Sequence, residues 1–170
     1  MSDVYRVTKL NDAQRIIGYN FMDSSILWEA LQAPGSRPFA ADGRDFSNGN
    51  KRLALLGDAV LKTNLLGTWY ESDQSIGECP ELEICTNTKA NILSGGGNNY
   101  VTAIGNNNNL AHVGRQHGLD GCVHNHPAAG NMVSNGTMAQ TVEALIGAVW
   151  LDSNTSLIMV NAVMSTLGLA

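Results

Sequence analysis

One long apolar segment, from Lys51 to Tyr70, constrains the fold of this chain more than any other feature. It contains no proline, and apolar side chains are spread around its whole helical circumference. Such a segment must be surrounded by other structure, because no face of it prefers water. We therefore predict a central, largely buried helix over Lys51 to Tyr70. The apolar residues that this helix would bury are Leu53, Leu55, Leu56, Ala59, Val60, Leu61, Leu65, Leu66 and Trp69.

Helix signals recur along the rest of the chain, and no segment shows the alternation that is typical of a strand. Asn11 precedes apolar residues at helical spacing, and Gly18 stands where a helix stop belongs, so we predict a short first helix between them. Asp23 is predicted to cap a second helix, which the Pro34-Gly35 pair ends. Further helices are predicted at about 81–93, from Leu110 onward, at about 137–151 and at 156–167.

Two stretches rich in glycine and asparagine, at 95–99 and 106–109, interrupt these helical patterns. Neither is followed by the Lys-Ser or Lys-Thr pair of a phosphate-binding loop. We predict that they form turns and helix caps.

The length and composition of the chain indicate one ordered domain. It has 170 residues, of which 44% are hydrophobic and 15% are charged. We predict an all-α fold that forms a single domain over 1–170. Its core is expected at about 11–152, followed by the C-terminal helix at about 156–167.

The charge of the chain disfavours a nucleic-acid partner. The formal net charge is −5, and after Lys89 the only lysine or arginine is Arg115. Proteins that bind double-stranded RNA neutralise phosphates with lysine and arginine, and the second half of this chain cannot supply a basic stripe.

The sequence also gives an expectation about location. Residues Met1 to Leu10 do not resemble a secretory signal, and no apolar stretch reaches membrane-spanning length. Three cysteines form an odd number without the spacing of a disulfide framework, which suits a reducing compartment. We expect an intracellular, cytoplasmic protein with no membrane partner.

Two stretches resemble, in the same order, the two signature helices of the ribonuclease III family. The first is Asn-Lys-Arg-Leu-Ala-Leu-Leu-Gly-Asp-Ala-Val at 50–60, and the second is Thr-Val-Glu-Ala-Leu-Ile-Gly-Ala-Val-Trp-Leu-Asp at 141–152. Segments 18–34 and 109–120 also follow the order of the family, so that the resemblance covers about 11–152. It implies a ribonuclease III-like helical domain that cleaves double-stranded RNA with divalent metal ions. It also implies a two-fold homodimer, in which Leu55 enters a socket on the partner subunit.

The metal-binding positions of that family are only partly kept. Four acidic positions usually hold Mg²⁺ or Mn²⁺ there, because these hard cations take oxygen ligands. In this chain Asp58 and Glu143 remain, whereas the other two positions hold Ala54 and Gln140, and Lys51 replaces a further glutamate of the first signature. The resemblance therefore makes Asp58, Glu143, Gln140 and Lys51 the candidate catalytic residues. Asp58 and Glu143 could still bridge one weak Mg²⁺ or Mn²⁺ site through waters, but two-metal cleavage is not expected.

Structural explanations compete with these functional ones. Asp58 could be kept for a hydrogen bond, and Glu143 could be a buried acid paired with Lys51 or Gln140. Both acids lie in otherwise apolar helices, where burial without a partner would be costly.

A histidine-rich segment at 112–126 invites a zinc interpretation, because imidazole and thiolate bind zinc. Its candidate ligands are His112, His117, Cys122, His124 and His126. Their spacing is not that of a finger or a ribbon, so we do not predict zinc. A histidine of this loop could instead act as an acid or base near the cleft. Glu78 is a further acidic candidate for the cleft.

Three functional hypotheses follow. The first is a diverged ribonuclease III-fold protein with impaired or lost cleavage of double-stranded RNA, whose cleft serves acid–base chemistry on, or binding of, a small molecule. The second is a minimal Mg²⁺-dependent endonuclease of RNA processing. The third is a non-catalytic scaffold or interaction protein. The missing carboxylates, the acidic charge and the lack of a double-stranded RNA-binding domain in this sequence favour the first hypothesis.

Overall fold

The computed structural model describes residues 3–36, 46–71, 96–125, 130 and 132–170. Over these residues it contains seven α-helices and a single isolated bridge between Gln32 and His124. The helices are α1 (Asp3–Ile17), α2 (Ser24–Ala30), α3 (Lys51–Glu71), α4 (Gly96–Gly105), α5 (Asn107–Gln116), α6 (Asn135–Asp152) and α7 (Leu157–Thr166), with a short 3-10 turn at Leu119–Gly121. The all-α prediction is confirmed. The helix predicted at about 81–93 lies outside the described residues.

Helix α6 lies at the centre of the fold. Helices α2, α3, α5 and α7 all pack against it. Its buried residues occur on nearly every face, which explains why its sequence is apolar almost throughout. They are Met138, Ala139, Thr141, Val142, Ala144, Leu145, Ile146, Gly147, Ala148, Val149 and Asp152.

Helix α3 is buried on one side only, so the prediction of a largely buried helix is wrong for its other side. Leu53, Val60 and Leu61 are buried, as expected. Leu55, however, is 75% exposed and Leu66 is 41% exposed. The reason is that α6 and its other neighbours cover only the inner face of α3, which leaves an apolar strip uncovered in the single chain.

Glycines allow α3 and α6 to cross with their backbones in contact. A Cβ atom added at Gly57 would overlap the carbonyl oxygen of Glu143, and one added at Gly147 would overlap the carbonyl oxygen of Leu53. Only glycine fits at both positions, because no side-chain atom can occupy that space. The crossing therefore fixes Asp58, the residue after Gly57, close to Glu143.

The predicted start of α1 is wrong, because the helix begins at Asp3 rather than at Asn11. Contacts with distant segments hold the additional turns. Lys9 Nζ donates hydrogen bonds to the carbonyl oxygens of Gly121, at 2.7 Å, and Val123, at 3.1 Å, and the Arg6 guanidinium lies over the Trp28 ring. The predicted stop is confirmed at Gly18, which adopts a left-handed φ of 69°.

The prediction of turns at 95–99 is wrong from Gly96 onward, because α4 begins at Gly96 and includes Gly97. A Cβ at Gly97 would come within 2.9 Å of the Trp69 ring, so glycine here allows close packing against α3. The caps are confirmed elsewhere. Asp23 accepts a hydrogen bond from the Ser25 amide at 2.8 Å, and Asn106 accepts one from the Asn109 amide at 2.9 Å.

Helix α7 closes the fold against α6. It begins after Ser156, whose hydroxyl caps it, and its range agrees with the predicted C-terminal helix. No described helix combines the length and the apolar character needed to cross a membrane.

Candidate functional site

A cleft of about 510 Å³ opens between α3 and α6 beside their glycine crossing. The junction of α4 and α5 forms its third side. Its lining residues are Lys51, Ala54, Leu55, Asp58 and Lys62 of α3, Gly105 and Asn107 at the junction, and Gly136, Gln140 and Glu143 of α6. All four residues that the sequence marked as candidates, Lys51, Asp58, Gln140 and Glu143, therefore line one cleft.

Asp58 is paired with Lys62, a residue that the sequence analysis did not single out. Lys62 Nζ donates to Asp58 Oδ2 at 2.7 Å, and the two side chains are 50% and 31% exposed. The spacing of four residues, with the acid nearer the helix N-terminus, is the signal that could have found this pair.

Glu143 lies half-buried on α6, and its surroundings favour the protonated acid. Burial and the nearby negative charge of Asp58 raise its pKa to about 7, while the Lys62 ammonium acts in the opposite direction. No described residue donates a hydrogen bond to the Glu143 carboxyl. A carboxyl with such a pKa can both release and accept a proton near neutral pH.

The other two candidates contribute polar groups that have no partner among the described residues. Lys51 is exposed and Gln140 is half-buried. Neither pairs with Glu143 in the described structure, so the pairing that would have given Glu143 a purely structural role is not found there. Ala54 is buried in the wall of the same cleft and contributes no side-chain oxygen to it.

Among the described residues, the cleft brings together two of the four acids that the family's metal centre uses. Asp58 and Glu143 are its only carboxylates among the described lining residues, and an ammonium group already lies on Asp58. In the described part of the chain, no three histidine, cysteine or acidic side chains lie close enough together to share an ion. Gln140 offers a neutral oxygen where the family places an anion to offset the metal charge.

The histidine-rich segment does not form a zinc site within the residues that the structure covers. His112 is exposed, whereas His124 packs against the rings of Trp28 and Tyr5. Burial, followed by the charge of Lys9, lowers the pKa of His124. Burial raises the pKa of the Cys122 thiol to about 11, which leaves it protonated and a poor ligand. His126 and Glu78 lie outside the described residues.

A second carboxylate of α6, Asp152, has a role that the sequence analysis missed. It is 6% exposed and accepts hydrogen bonds from the Tyr19 hydroxyl at 2.9 Å, the Met22 amide at 2.9 Å and the Asp23 amide at 2.8 Å. Burial and then Asp152 raise the pKa of Tyr19 to about 12, which keeps its donor proton in place. Asp152 therefore fastens the α1–α2 connection to the end of α6.

Known proteins resemble this chain in both sequence and fold. A family model described as Ribonuclease-III-like matches residues 23–165. Ribonuclease 3 of Proteus mirabilis (strain HI4320) is 27% identical over 148 residues, which cover 85% of this chain and 54% of that protein. The chain thus spans about half the length of this curated relative.

Two solved structures of the nuclease domain of ribonuclease III from Campylobacter jejuni share the fold. One superimposes with a TM-score of 0.66 at 18% identity, and the match covers 94% of each chain. That structure was described for the structural flexibility of a region involved in dimer formation. The other gives a TM-score of 0.65 at 19% identity and covers 98% of this chain and 95% of that one. These likenesses confirm the predicted helical fold.

Proposed function

We propose a diverged function for this chain, which belongs to the ribonuclease-III-like family. In this proposal its cleft binds a small polar molecule. In this proposal the cleft does not carry out efficient two-metal cleavage of double-stranded RNA. One observation carries the proposal. Asp58 is paired with Lys62 in a cleft where Ala54 and Gln140 stand at positions that the family reserves for acids.

The chemistry of phosphodiester cleavage explains why this observation matters. Two divalent ions must be held by several anionic oxygens so that one can activate water and the other can stabilise the leaving oxygen. The two acids of the cleft already share the charge of Lys62. Too little negative charge remains to hold two doubly charged ions.

Three of the described basic residues outside the cleft also argue against a duplex RNA substrate. Arg115 donates to Val133 and Asn135, and Lys9 donates to two backbone carbonyls. Arg15 pairs with Asp12. These cations are engaged with protein groups, and the formal net charge of the chain is −5. Binding to a run of phosphates would have to overcome that charge.

The cleft is suited to a smaller ligand. Its volume of about 510 Å³ lies in the range usual for small-molecule sites, which is roughly 300–1,000 Å³. Lys51, Asn107 and Gln140 supply hydrogen-bond donors, and Glu143 supplies a carboxyl that exchanges its proton near neutral pH. We propose that Glu143 gives this cleft acid–base capacity, as a proton donor to or acceptor from the bound molecule.

The proposal includes a two-fold homodimer. Leu55 is 75% exposed on the rim of the cleft, and the apolar strip that it begins on α3 is uncovered in the single chain. A second copy packed on this strip would bury the strip and border both clefts. Light scattering coupled to size-exclusion chromatography tests this, with Leu55→Glu expected to give monomers.

A single domain over 1–170 in the cytoplasm completes the proposal. The packing of α7 on α6 ties the C-terminal helix to the core. The free thiol of Cys122 suits a reducing compartment.

The decisive experiment compares wild type with Asp58→Asn on long double-stranded RNA in Mg²⁺ and in Mn²⁺. We expect no cleavage that depends on Asp58 under conditions in which the Proteus mirabilis ribonuclease 3 digests the RNA completely. Robust cleavage by wild type, abolished in Asp58→Asn, would establish the minimal nuclease instead.

A thermal-shift screen of small polar organic molecules separates a binding cleft from a scaffold. We expect at least one chemical class to raise the unfolding temperature of wild type and to have a smaller effect on Glu143→Ala. If no class shifts wild type, and Asp58→Ala leaves its cellular role intact, the scaffold hypothesis replaces the proposal.

A further inference from the structure

We propose that this cleft carries its own cation. The ammonium group of Lys62 stands on Asp58, where the chemistry of the family calls for a divalent metal ion, and it keeps such ions out of the cleft. This inference rests on the proposed function, in which the cleft does not run two-metal chemistry. The inference names one side chain, Lys62, as the reason why the cleft binds divalent ions poorly.

The position of Lys62 supports this role. Its Nζ lies 2.7 Å from Asp58 Oδ2, which is the distance of a charge-assisted hydrogen bond. The charge of Lys62 also acts on Glu143, across the cleft on α6. The ammonium thus hydrogen-bonds one acid and lies near enough to the other for its charge to act there.

The backbone holds this arrangement in register. Lys62 follows Asp58 by one turn of α3, and α3 is fixed against α6 at the contact of Gly57 with Glu143. The ammonium therefore does not depend on a mobile loop to reach the acids. Because the acid precedes the lysine by four residues, the pair also has the favourable orientation on a helix.

Lys51 provides an internal comparison. It lines the same cleft, but no described acid lies within ion-pair distance of it, and its charge is not among those that shift the pKa of Glu143. The cleft therefore contains one lysine that serves the acids and one that does not. Only the first should govern the affinity of the cleft for metal ions.

Electrostatics gives the expected direction. A divalent ion placed between Asp58 and Glu143 would lie within a few ångströms of the Lys62 ammonium, and like charges at that distance repel strongly in a partly buried site. Removal of the ammonium would leave two carboxylates and the Gln140 oxygen facing one another. Such a set can hold a single hydrated Mn²⁺ ion.

The test measures Mn²⁺ binding by electron paramagnetic resonance in wild type, Lys62→Met and Lys51→Met. Both variants remove one positive charge from the cleft and keep an unbranched side chain. We expect Lys62→Met to bind Mn²⁺ about tenfold or more tightly than wild type, and Lys51→Met to stay within about threefold. Addition of Asp58→Asn to Lys62→Met should abolish the gain, which places the ion at Asp58.

Two results would overturn the inference. Lys62→Met could bind Mn²⁺ no better than wild type, or Lys51→Met could show the same gain as Lys62→Met. The pair is half exposed, so Lys62→Met should fold normally, which circular dichroism and thermal unfolding verify. Lys62→Gln is measured in parallel as a second uncharged variant and carries the test if Lys62→Met misfolds.

These outcomes are distinguishable from failure of the proposed function. If wild type binds Mn²⁺ tightly but does not cut duplex RNA, the role of Lys62 is refuted and the diverged function stands. If wild type cuts duplex RNA in an Asp58-dependent manner, the proposed function itself is refuted.

Discussion

Helix α6 carries two carboxylates in contrasting surroundings. Asp152, at its C-terminal end, is 6% exposed and accepts three hydrogen bonds from the α1–α2 connection. Glu143, in its middle, is half-buried, faces the cleft, and receives no hydrogen bond from a described residue. The first acid has donors that stabilise its charge, whereas the second has a neighbouring acid that opposes it.

The difference shows how one helix can serve stability and chemistry together. A buried charge is tolerated when hydrogen-bond donors replace the water that it has lost, and such a charge then fixes the structure around it. A half-buried carboxyl that lacks those donors and lies beside another acid has its pKa raised toward neutrality, and it remains free to react with a bound molecule. The surroundings of the acid, rather than its residue type, decide between these roles.

The largest effect on stability is expected for Gly57→Ala, which disrupts the crossing of α3 and α6 that places Glu143 beside Asp58. Its Cβ would overlap the Glu143 carbonyl oxygen, and neither backbone can yield locally. We expect a loss of about 4 kcal/mol or more in the free energy of unfolding, measured by urea denaturation.

The matched control is Gly67→Ala on the same helix, where an added Cβ meets nothing within 4 Å. It should stabilise the protein by about 0.5–1 kcal/mol, because alanine favours a helix over glycine. Equal effects at the two positions would show that the crossing does not position Glu143.

The next effect tests the two acids directly. Asp152→Ala leaves three part-buried donors without their acceptor, and we expect a loss of about 2 kcal/mol in the free energy of unfolding. Glu143→Ala should change stability by less than about 1 kcal/mol, since no described donor is orphaned. Tyr19→Phe removes one donor and should cost about 1 kcal/mol. Similar losses for Asp152→Ala and Glu143→Ala in urea denaturation would contradict the view that Asp152 stabilises the fold and Glu143 does not.

The smallest effect is a pH dependence that belongs to Glu143. Its pKa is raised in the folded protein from 4.5 to about 7, so folding favours the protonated acid. The stabilisation from this acid is fully present below pH 4.5 and is lost as the pH rises through about 7. Allowing for solvent screening of a half-exposed group, we expect a loss of about 1 kcal/mol between pH 5 and 8.

Glu143→Gln isolates this contribution. His124, whose pKa is lowered, acts in the opposite direction, because stability from its neutral form is lost as the pH falls. The difference between wild type and Glu143→Gln in urea denaturation at pH 5, 6.5 and 8 removes the His124 term. A constant difference across this range would mean that Glu143 has an ordinary acidity.

The sequence predicted the parts of the fold whose determinants are local. The cap at Asp23 and the stop at Gly18 depend on residues within one turn of themselves. The first turns of α1 and the helical state of Gly97 could not be predicted this way. They depend on Lys9 reaching the 121–123 backbone and on the Trp69 ring, contacts between segments distant in sequence.

The candidate site was predictable to a similar degree. The signature motifs placed Asp58 and Glu143 on two helices, and the fold brings both to one cleft together with Gln140 and Lys51. The role of Lys62 depends on the cleft having a second acid within reach, which helical spacing alone does not reveal. The pKa of Glu143 follows from burial and from Asp58, which only the packed structure determines.

The contact between Gly57 and Gly147 has a consequence for how such a protein tolerates change. The two helices meet through backbone atoms at positions without side chains, and no side chain that lines the cleft takes part in that contact. Acids at the mouth of the cleft can therefore be exchanged for alanine, glutamine or lysine while the helices keep their distance and angle. In this fold, substitutions of the side chains that line the cleft can change its chemistry without changing its shape. The shape can therefore be kept after the original reaction is lost.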